Sequence, residues 1–431
     1  MFFTICLYIS LAIFVAGVLY KGSAWFRYQI DTSRENLTVQ NRIAAAVKGV
    51  LATIFSQKLL ILLKTFIVDV ILQLRILRES FSRWLMHMLI STGFISLLLM
   101  HALEKIITEP LFPEYYSTLN PFFFLRDFFG FMVVAGLAIA LYRRIALKGP
   151  RFKTDAVDII AIVILAVVMV SGFLLAATKI TSYSVYQEMV DEYAGTDDEA
   201  ELEALESVWV SKFAVVSPNV KGPFKNEMIE QGLEIHQDSC MDCHADPQWA
   251  FGSFLTAKIV SPFALALDAA GIPTFLWYLH FLACFAGLAY LPFSKLFHLV
   301  TTPLSLLSNS VMDRTTSDPV NTVTRQILEL DACTRCGTCS LNCSVAITAG
   351  DRGNENILPS IKIRKLLELA KVDRTDREEV ARLQEGLYLC TSCYRCTTVC
   401  PSGINLQDLW FDARESLLRK GYPELLVLSS L

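Results

Sequence analysis

Ten of the twelve cysteines fall into three compact motifs whose spacing is that of cofactor ligands. The first motif, Cys240-x-x-Cys243-His244, predicts a c-type haem, with both thiols bonded to the porphyrin and the imidazole ligating the iron. A bare C-x-x-C pair would also suit a zinc knuckle or a redox dithiol. The adjoining histidine and the lack of a second pair nearby favour the haem.

The motif does not fix the sixth ligand of this iron. His236 lies eight residues before His244, in a stretch from Gly232 that reads as the helix leading into the motif. It is a candidate ligand, although an aromatic residue commonly packs beside the haem at this position. Met189 and Met228 are further candidates in the same loop.

Two complete four-cysteine runs follow, Cys333-x2-Cys336-x2-Cys339-x3-Cys343 and Cys390-x2-Cys393-x2-Cys396-x3-Cys400-Pro401. In two-cluster ferredoxins the fourth cysteine of each run ligates the other cluster. We therefore predict one [4Fe–4S] cluster on Cys333, Cys336, Cys339 and Cys400, and a second on Cys390, Cys393, Cys396 and Cys343. Ser344 replaces the proline usual after the first run, which loosens a turn but removes no ligand. Eight cysteines in this spacing make zinc a poor alternative.

Four histidines in apolar segments could ligate further haems. His280 and His298 are eighteen residues apart, or five helical turns, and His87 and His101 are fourteen apart, or four turns. Each pair is therefore expected on one face of one spanning helix. Imidazole is a standard axial ligand of haem iron, so antiparallel helices would pair His87 with His298 and His101 with His280 around two b-type haems. The alternative is a polar cluster with a purely structural role.

The elements that must position these residues are apolar helices. With 53% hydrophobic residues and a mean hydropathy of +0.45, the chain has the composition of an integral membrane protein with a soluble part. No basic run is long enough for nucleic-acid binding. We predict spans at about 2–20, 84–103, 121–142, 156–178 and 273–300. The first lacks the basic region and cleavage site of a signal peptide, and the stretch at about 43–76 is predicted to lie on the membrane surface.

The positive-inside rule sets the orientation. Segment 21–83 is basic, as is the connection after the third span, which carries Arg143, Arg144, Lys148, Arg151 and Lys153. Both are expected in the cytoplasm. Segment 104–120 and the loop 179–271, with its acidic stretch 188–206, are then outside. This orientation puts the N-terminus and haem c outside a prokaryotic cytoplasmic membrane and residues 301–431 in the cytoplasm.

The predicted fold class is mainly α: a five-helix transmembrane cytochrome b bundle over 1–300, followed by a cytoplasmic α-helical ferredoxin-type domain over 301–431. Between and after the cysteine runs, helices are predicted at about 359–371, 376–387 and 405–419.

Residues 1–300 resemble the five-helix cytochrome b family of the nitrate reductase gamma subunit and of the membrane subunit of heterodisulfide reductases. In that family two histidines on the second helix and two on the fifth hold two haems b. His280 and His298 match the spacing of the fifth helix, whereas His87 and His101 are more widely spaced than in the nitrate reductase branch. Residues 320–431 resemble the small C-type, two-cluster subunit of heterodisulfide reductases. The chain thus resembles a fusion of E-type and C-type subunits with a c-type haem added in the last outer loop.

This resemblance implies an electron-transfer subunit of a heterodisulfide-reductase-like respiratory complex. Electrons would pass between the outer haem c, the two haems b, the two clusters and a cytoplasmic partner. The chain has no CCG motif, so the resemblance implies a separate catalytic subunit there, and a cytochrome c or related carrier is expected outside. The alternative is a menaquinol or quinone oxidoreductase with its own quinone site beside a haem b.

Overall fold

The computed structural model describes residues 1–30, 37–146, 156–313, 315–371 and 376–422. These residues are largely helical and include no β-strand, which confirms the predicted mainly α class. The predicted basic connection lies partly outside the described residues, because Lys148, Arg151 and Lys153 fall in the gap after residue 146.

The α-helices of the first half are α1 (Phe2–Arg27), α2 (Val39–Ile54), α3 (Lys58–Thr65), α4 (Leu74–Glu79), α5 (Phe81–Leu97), α6 (Thr108–Leu111), α7 (Phe122–Ile145), α8 (Ala156–Thr181), α9 (Tyr183–Tyr193) and α10 (Glu199–Lys212). Those of the second half are α11 (Asn226–Ser239), α12 (Phe251–Val260), α13 (Ala264–Ala269), α14 (Ile272–Tyr290), α15 (His298–Val311), α16 (Pro319–Asp331), α17 (Thr338–Leu341), α18 (Ile347–Asp351), α19 (Pro359–Lys371), α20 (Arg377–Tyr388), α21 (Arg395–Thr398) and α22 (Leu406–Arg419). The helices predicted around the cysteine runs are thus confirmed as α19, α20 and α22.

Six helical segments of the described chain are long and apolar enough to cross a membrane: Phe2–Arg27, Phe81–Ala102, Phe122–Ile145, Asp158–Thr181, Phe251–Ala269 and Ile272–Phe293. Five of them overlap the predicted spans. Many of their large apolar side chains are exposed, as is usual for surfaces that face lipid. The membrane nature predicted from composition is therefore supported.

The additional segment, Phe251–Ala269, lies inside the predicted outer loop. At its start, Asp127 near the beginning of α7 accepts hydrogen bonds from the Gly252 and Ser253 amides, at 2.6 and 3.1 Å. At its end, Asp268 accepts bonds from Ser182 and Ser184, directly after α8. These two carboxylates therefore anchor both ends of the segment.

The prediction of a single helix over 273–300 is wrong for the second half of that range. Helix α14 ends at Tyr290, and two 3₁₀ turns, Leu291–Phe293 and Lys295–Phe297, precede His298 at the start of α15. Pro292 lacks an amide hydrogen, and Ser294 between the turns is extended, with φ −103° and ψ 173°. His280 and His298 therefore do not share one face of a continuous helix.

The helix with His87 and His101 also departs from the expected geometry. Helix α5 contains His87, but His101 lies in a π-helical segment, Leu98–Ala102, that continues it. A π-turn takes more residues than an α-turn, so it rotates His101 away from the face expected from a fourteen-residue spacing. Such π segments occur frequently at functional sites.

The surface helix predicted at about 43–76 is several shorter elements. Helices α2 and α3 are followed by a π-helical segment, Phe66–Ile71, and by α4. The break before α4 falls at Gln73, whose φ of 53° is left-handed and cannot continue a right-handed helix.

By internal contacts the chain divides into two compact units. One comprises 1–8, 85–146 and 162–288, and the other 9–84, 147–161 and 289–431. The core of the first includes Trp209, Phe213 and Cys240, and that of the second surrounds Trp410. The domain boundary predicted near residue 300 was placed from the cofactor motifs and not from internal contacts. It stays a prediction.

Candidate cofactor sites

One pocket of the second unit is lined by Cys333, Cys336, Cys339 and Cys400. Another is lined by Cys343, Cys390, Cys393 and Cys396. In both pockets the fourth cysteine comes from the other run, as in two-cluster ferredoxins. No three His, Cys, Asp or Glu side chains among the described residues come close enough together to hold a single metal ion, and the cysteines instead surround each pocket. We call these the first and second cluster pockets.

The two cysteine runs repeat one backbone conformation. Left-handed φ values occur two and four residues after the first cysteine of each run, at Arg335 and Gly337 and at Ser392 and Tyr394. Short helices, α17 and α21, start next in both. Alternating left- and right-handed residues turn successive amide hydrogens toward one point, an arrangement that suits anionic groups.

Burial raises the pKa of five of the eight thiols, and amide hydrogen bonds from the backbone bends oppose this rise and favour thiolates, the form that binds iron. Burial raises the pKa of the Cys333 thiol to about 11, although the Arg335 amide opposes this rise. At Cys336, burial also raises the pKa, but hydrogen bonds from Thr338 and Arg83 outweigh it and the pKa lies below its ordinary value. At exposed Cys393, the Arg395 amide lowers the thiol pKa.

Helix α19 lines both pockets. Ser360 and Ile363 line the first cluster pocket, whereas Pro359 and Lys362 line the second. Consecutive helical positions point about 100° apart, which lets one helix serve two neighbouring sites. The sequence pattern predicts α19 only as a helix. A lysine in a charged, amphipathic stretch reads as a surface residue, so no signal pointed to Lys362.

The c-type haem motif is part of a helical core in the first unit. Helix α11 runs directly into Cys240, which is buried. The helix packs closely on α10 at Gly232, where a side chain would meet the Ala204 carbonyl. The Cys243 carbonyl accepts a hydrogen bond from the Thr118 hydroxyl. The Ala245 amide donates to the Thr118 carbonyl at 3.1 Å, which anchors the other end of the motif.

His236 and His244 both pack edge-on against Trp209, with ring centroids 5.6 and 5.5 Å from the indole. Burial lowers the pKa of both imidazoles, which keeps them in the neutral form that binds iron. His236 Nδ1 is buried without a hydrogen-bond partner. Met228, by contrast, already accepts a hydrogen bond on sulfur, from Ser207 Oγ at 3.2 Å.

In the same unit, His101 and His280 are close enough to interact electrostatically. Ser171 Oγ lies 3.1 Å from His280 Nδ1, whereas Nε2 has only a longer contact, 3.9 Å from Cys284 Sγ, so Nε2 is the candidate nitrogen for a metal. At Gly172 a side chain would come within 3.1 Å of the His280 ring, so the glycine provides space beside this imidazole. A hydrogen-bonded imidazole with open space nearby fits an axial haem ligand.

The second predicted haem b pair divides between the two units. His87 belongs to the first unit, and His298 belongs to the second, where its Nδ1 lies 2.7 Å from the Lys295 carbonyl. This contact orients the His298 ring in the way that ligating imidazoles are usually oriented. The pairing of His87 with His298 stays a prediction.

Comparison with known proteins finds a family match over residues 329–404, described as a 4Fe-4S dicluster domain. The chain is 32% identical over 118 residues to the D-type subunit of a dihydromethanophenazine:CoB–CoM heterodisulfide reductase from Methanosarcina acetivorans, which is 24% of this chain and 28% of that protein. It is 33% identical over 97 residues to the C-type iron–sulfur subunit of the CoB–CoM heterodisulfide reductase from Methanopyrus kandleri, 22% of this chain and 44% of the relative.

A third relative is the E-type subunit of the dihydromethanophenazine:CoB–CoM heterodisulfide reductase from Methanosarcina thermophila, 30% identical over 125 residues, or 26% of this chain and 45% of that one. The chain thus spans less than half the length of each of these relatives. No solved structure matches significantly. The matches support a heterodisulfide-reductase-like iron–sulfur protein.

Proposed function

We propose that the chain is the membrane electron-transfer subunit of a heterodisulfide-reductase-like respiratory complex, carrying electrons between a haem c, two haems b and two [4Fe–4S] clusters. The main support is the gathering of eight cysteines into two adjacent four-cysteine pockets on α19, within the matched dicluster domain. The iron centres supply one-electron chemistry, while the protein fixes their positions and tunes their potentials.

Haem c would be bonded to Cys240 and Cys243, with His244 and His236 as axial ligands. The support for His236 is its buried, unpartnered Nδ1 and its packing on the same indole as His244. His236→Ala should keep the covalent haem but change the low-spin spectrum. Met228→Leu is the matched control, and an effect of Met228→Leu alone would contradict this ligand choice.

One haem b would be held by His101 and His280 and the other by His87 and His298. The contacts of His280 with Ser171 and of His298 with the Lys295 carbonyl support these imidazoles as ligands. The proposed topology has the N-terminus and haem c outside and the cluster domain in the cytoplasm. The partners are then a cytoplasmic heterodisulfide-reductase-like catalytic subunit and an outer cytochrome c.

The test is a spectroscopic inventory of the full chain in detergent. We expect b and c bands in the dithionite-reduced spectrum and two [4Fe–4S] signals by electron paramagnetic resonance (EPR). Cys240→Ala should remove only the c band, and Cys6→Ala, at a cysteine outside every motif, should remove nothing. A well-folded chain with both clusters but no b band would contradict the cytochrome part of the proposal.

The second candidate function is quinol oxidation or quinone reduction by this chain, with menaquinone bound beside a haem b. It is favoured by the name of another relative, an iron–sulfur subunit of an Hdr-like menaquinol oxidoreductase from Archaeoglobus fulgidus, 27% identical over 116 residues. A menaquinol analogue should then reduce the haems of the purified chain. If only dithionite or a reduced outer cytochrome does so, the chain is a conduit without a quinol site.

A further inference from the structure

Lys362 is a buried lysine at the second cluster pocket. Its side chain is 1% exposed, and its Nζ donates to the Gly386 carbonyl at 2.9 Å and lies 4.9 Å from the centre of the Trp410 ring. Among the described residues no carboxylate forms an ion pair with Lys362. A buried charge without a counter-charge is strongly destabilising, so an anion in the adjacent pocket would be its natural partner.

Two further polar groups on the same pocket wall lack partners. Both amide heteroatoms of Gln407 are buried without a hydrogen bond, and so is the Trp410 indole nitrogen. The Trp410 nitrogen lies near enough to the Cys396 sulfur to influence that thiol, but it forms no hydrogen bond of ordinary geometry. Buried polar groups are normally hydrogen-bonded, so these groups on one wall indicate an acceptor in the pocket.

The first cluster pocket has a different electrostatic environment. The cations that act on its cysteines are half-buried Arg83 and Lys295 and exposed Arg335. Arg83 is held by Thr338, with Nη1 2.9 Å from Oγ1. Water screens these charges, whereas a charge in the interior acts through a lower dielectric and is screened less.

We propose that Lys362, assisted by Gln407 and Trp410, is the built-in counter-charge of the second cluster and holds its reduction potential above the value that four cysteines alone would give. This inference rests on the proposed function. A cluster held by four thiolates is anionic and gains one more negative charge when a neighbouring redox centre passes it one electron. No bond breaks and no proton moves. The ammonium therefore stabilises the reduced form more than the oxidised form.

The test is a redox titration of the full chain, followed by EPR. Lys362→Met keeps the aliphatic stem but removes the charge, and it should lower the midpoint potential of the cluster assigned to Cys390 while the other stays unchanged. The midpoint potential of the same cluster in Lys362→Arg should stay closer to that of the parent chain. The matched control is Lys365→Met on the same helix, since Lys365 is partly exposed and pairs with Glu379 at 3.1 Å. It should shift neither potential.

Unchanged midpoints in a fully loaded Lys362→Met variant would overturn the inference. Loss of the second cluster from both Lys362 variants would do the same, because it would show a need for exact packing and not for charge. Gln407→Leu, which leaves the lysine in place, should lower the same midpoint by a smaller amount. If the parent chain binds no second cluster at all, the proposed function itself fails, and that result is distinct from an unshifted potential.

Discussion

Gly386 is the position where one added methyl group should disturb the cluster domain most clearly. A Cβ at this residue would lie 2.6 Å from the Asn356 carbonyl carbon, closer still to its oxygen, and 3.0 Å from the Ile357 nitrogen. All three atoms are backbone, so no side chain can rotate away. The 3₁₀ turn Glu355–Ile357 would have to separate from α20, and buried Ile357 would move with it.

The matched control is Gly350→Ala. Gly350 is also helical, in α18 of the same unit, but a Cβ there meets no atom within 4 Å. It should gain only the helix propensity of alanine, about 1 kcal/mol. Overpacking at Gly386 should add a penalty of about 1–3 kcal/mol. Gly386 is also helical and gains the same propensity, so we expect Gly386→Ala to be about 1–3 kcal/mol less stable than Gly350→Ala.

The assay is the thermal loss of cluster absorbance from the full chain, because global unfolding of a multi-unit membrane protein is not two-state. Gly386→Ala should lose the clusters at a lower temperature than the parent, and Gly350→Ala should not. The second cluster should be lost first, since the Gly386 carbonyl is the acceptor for Lys362. Equal thermal midpoints for the two variants would refute the packing argument.

Three further predictions follow from single contacts. Cys343→Ala should remove the same cluster EPR signal as Cys390→Ala, although the two cysteines belong to different runs; loss of the other signal would contradict the exchanged fourth ligand. Gly172→Ala should alter the spectrum of one haem b by crowding His280, and an unchanged spectrum would argue against a haem there. Burial raises the pKa of Glu329. The stabilising contribution of protonated Glu329 is therefore complete below the ordinary carboxyl pKa and is lost as pH rises through the raised pKa. Glu329→Gln should therefore flatten the fall in the cluster-loss temperature over that pH range.

The sequence alone was sufficient to predict the cysteine runs as ligand motifs and the helices next to them. These features depend on local spacing. Cysteines separated by two residues bind one cofactor through the geometry of a short loop, and the amphipathic patterns predict α19, α20 and α22. The approach of α11 to Cys240 is local in the same way. Composition likewise indicated the apolar helices, because the hydrophobicity of a long segment does not depend on its neighbours.

Tertiary structure decided the features that depend on breaks within helices and on contacts between residues far apart in the sequence. The interruption between Tyr290 and His298 and the π segment at His101 changed the predicted helix faces, since hydropathy does not detect a backbone bend inside an apolar run. The sequence could not single out Lys362 either. A lysine is ordinarily solvated, and its burial results from α20 and α22, which supply the Gly386 carbonyl and the Trp410 ring from residues far along the chain. Which side chains surround a cofactor is therefore set by packing between helices, which no local pattern encodes.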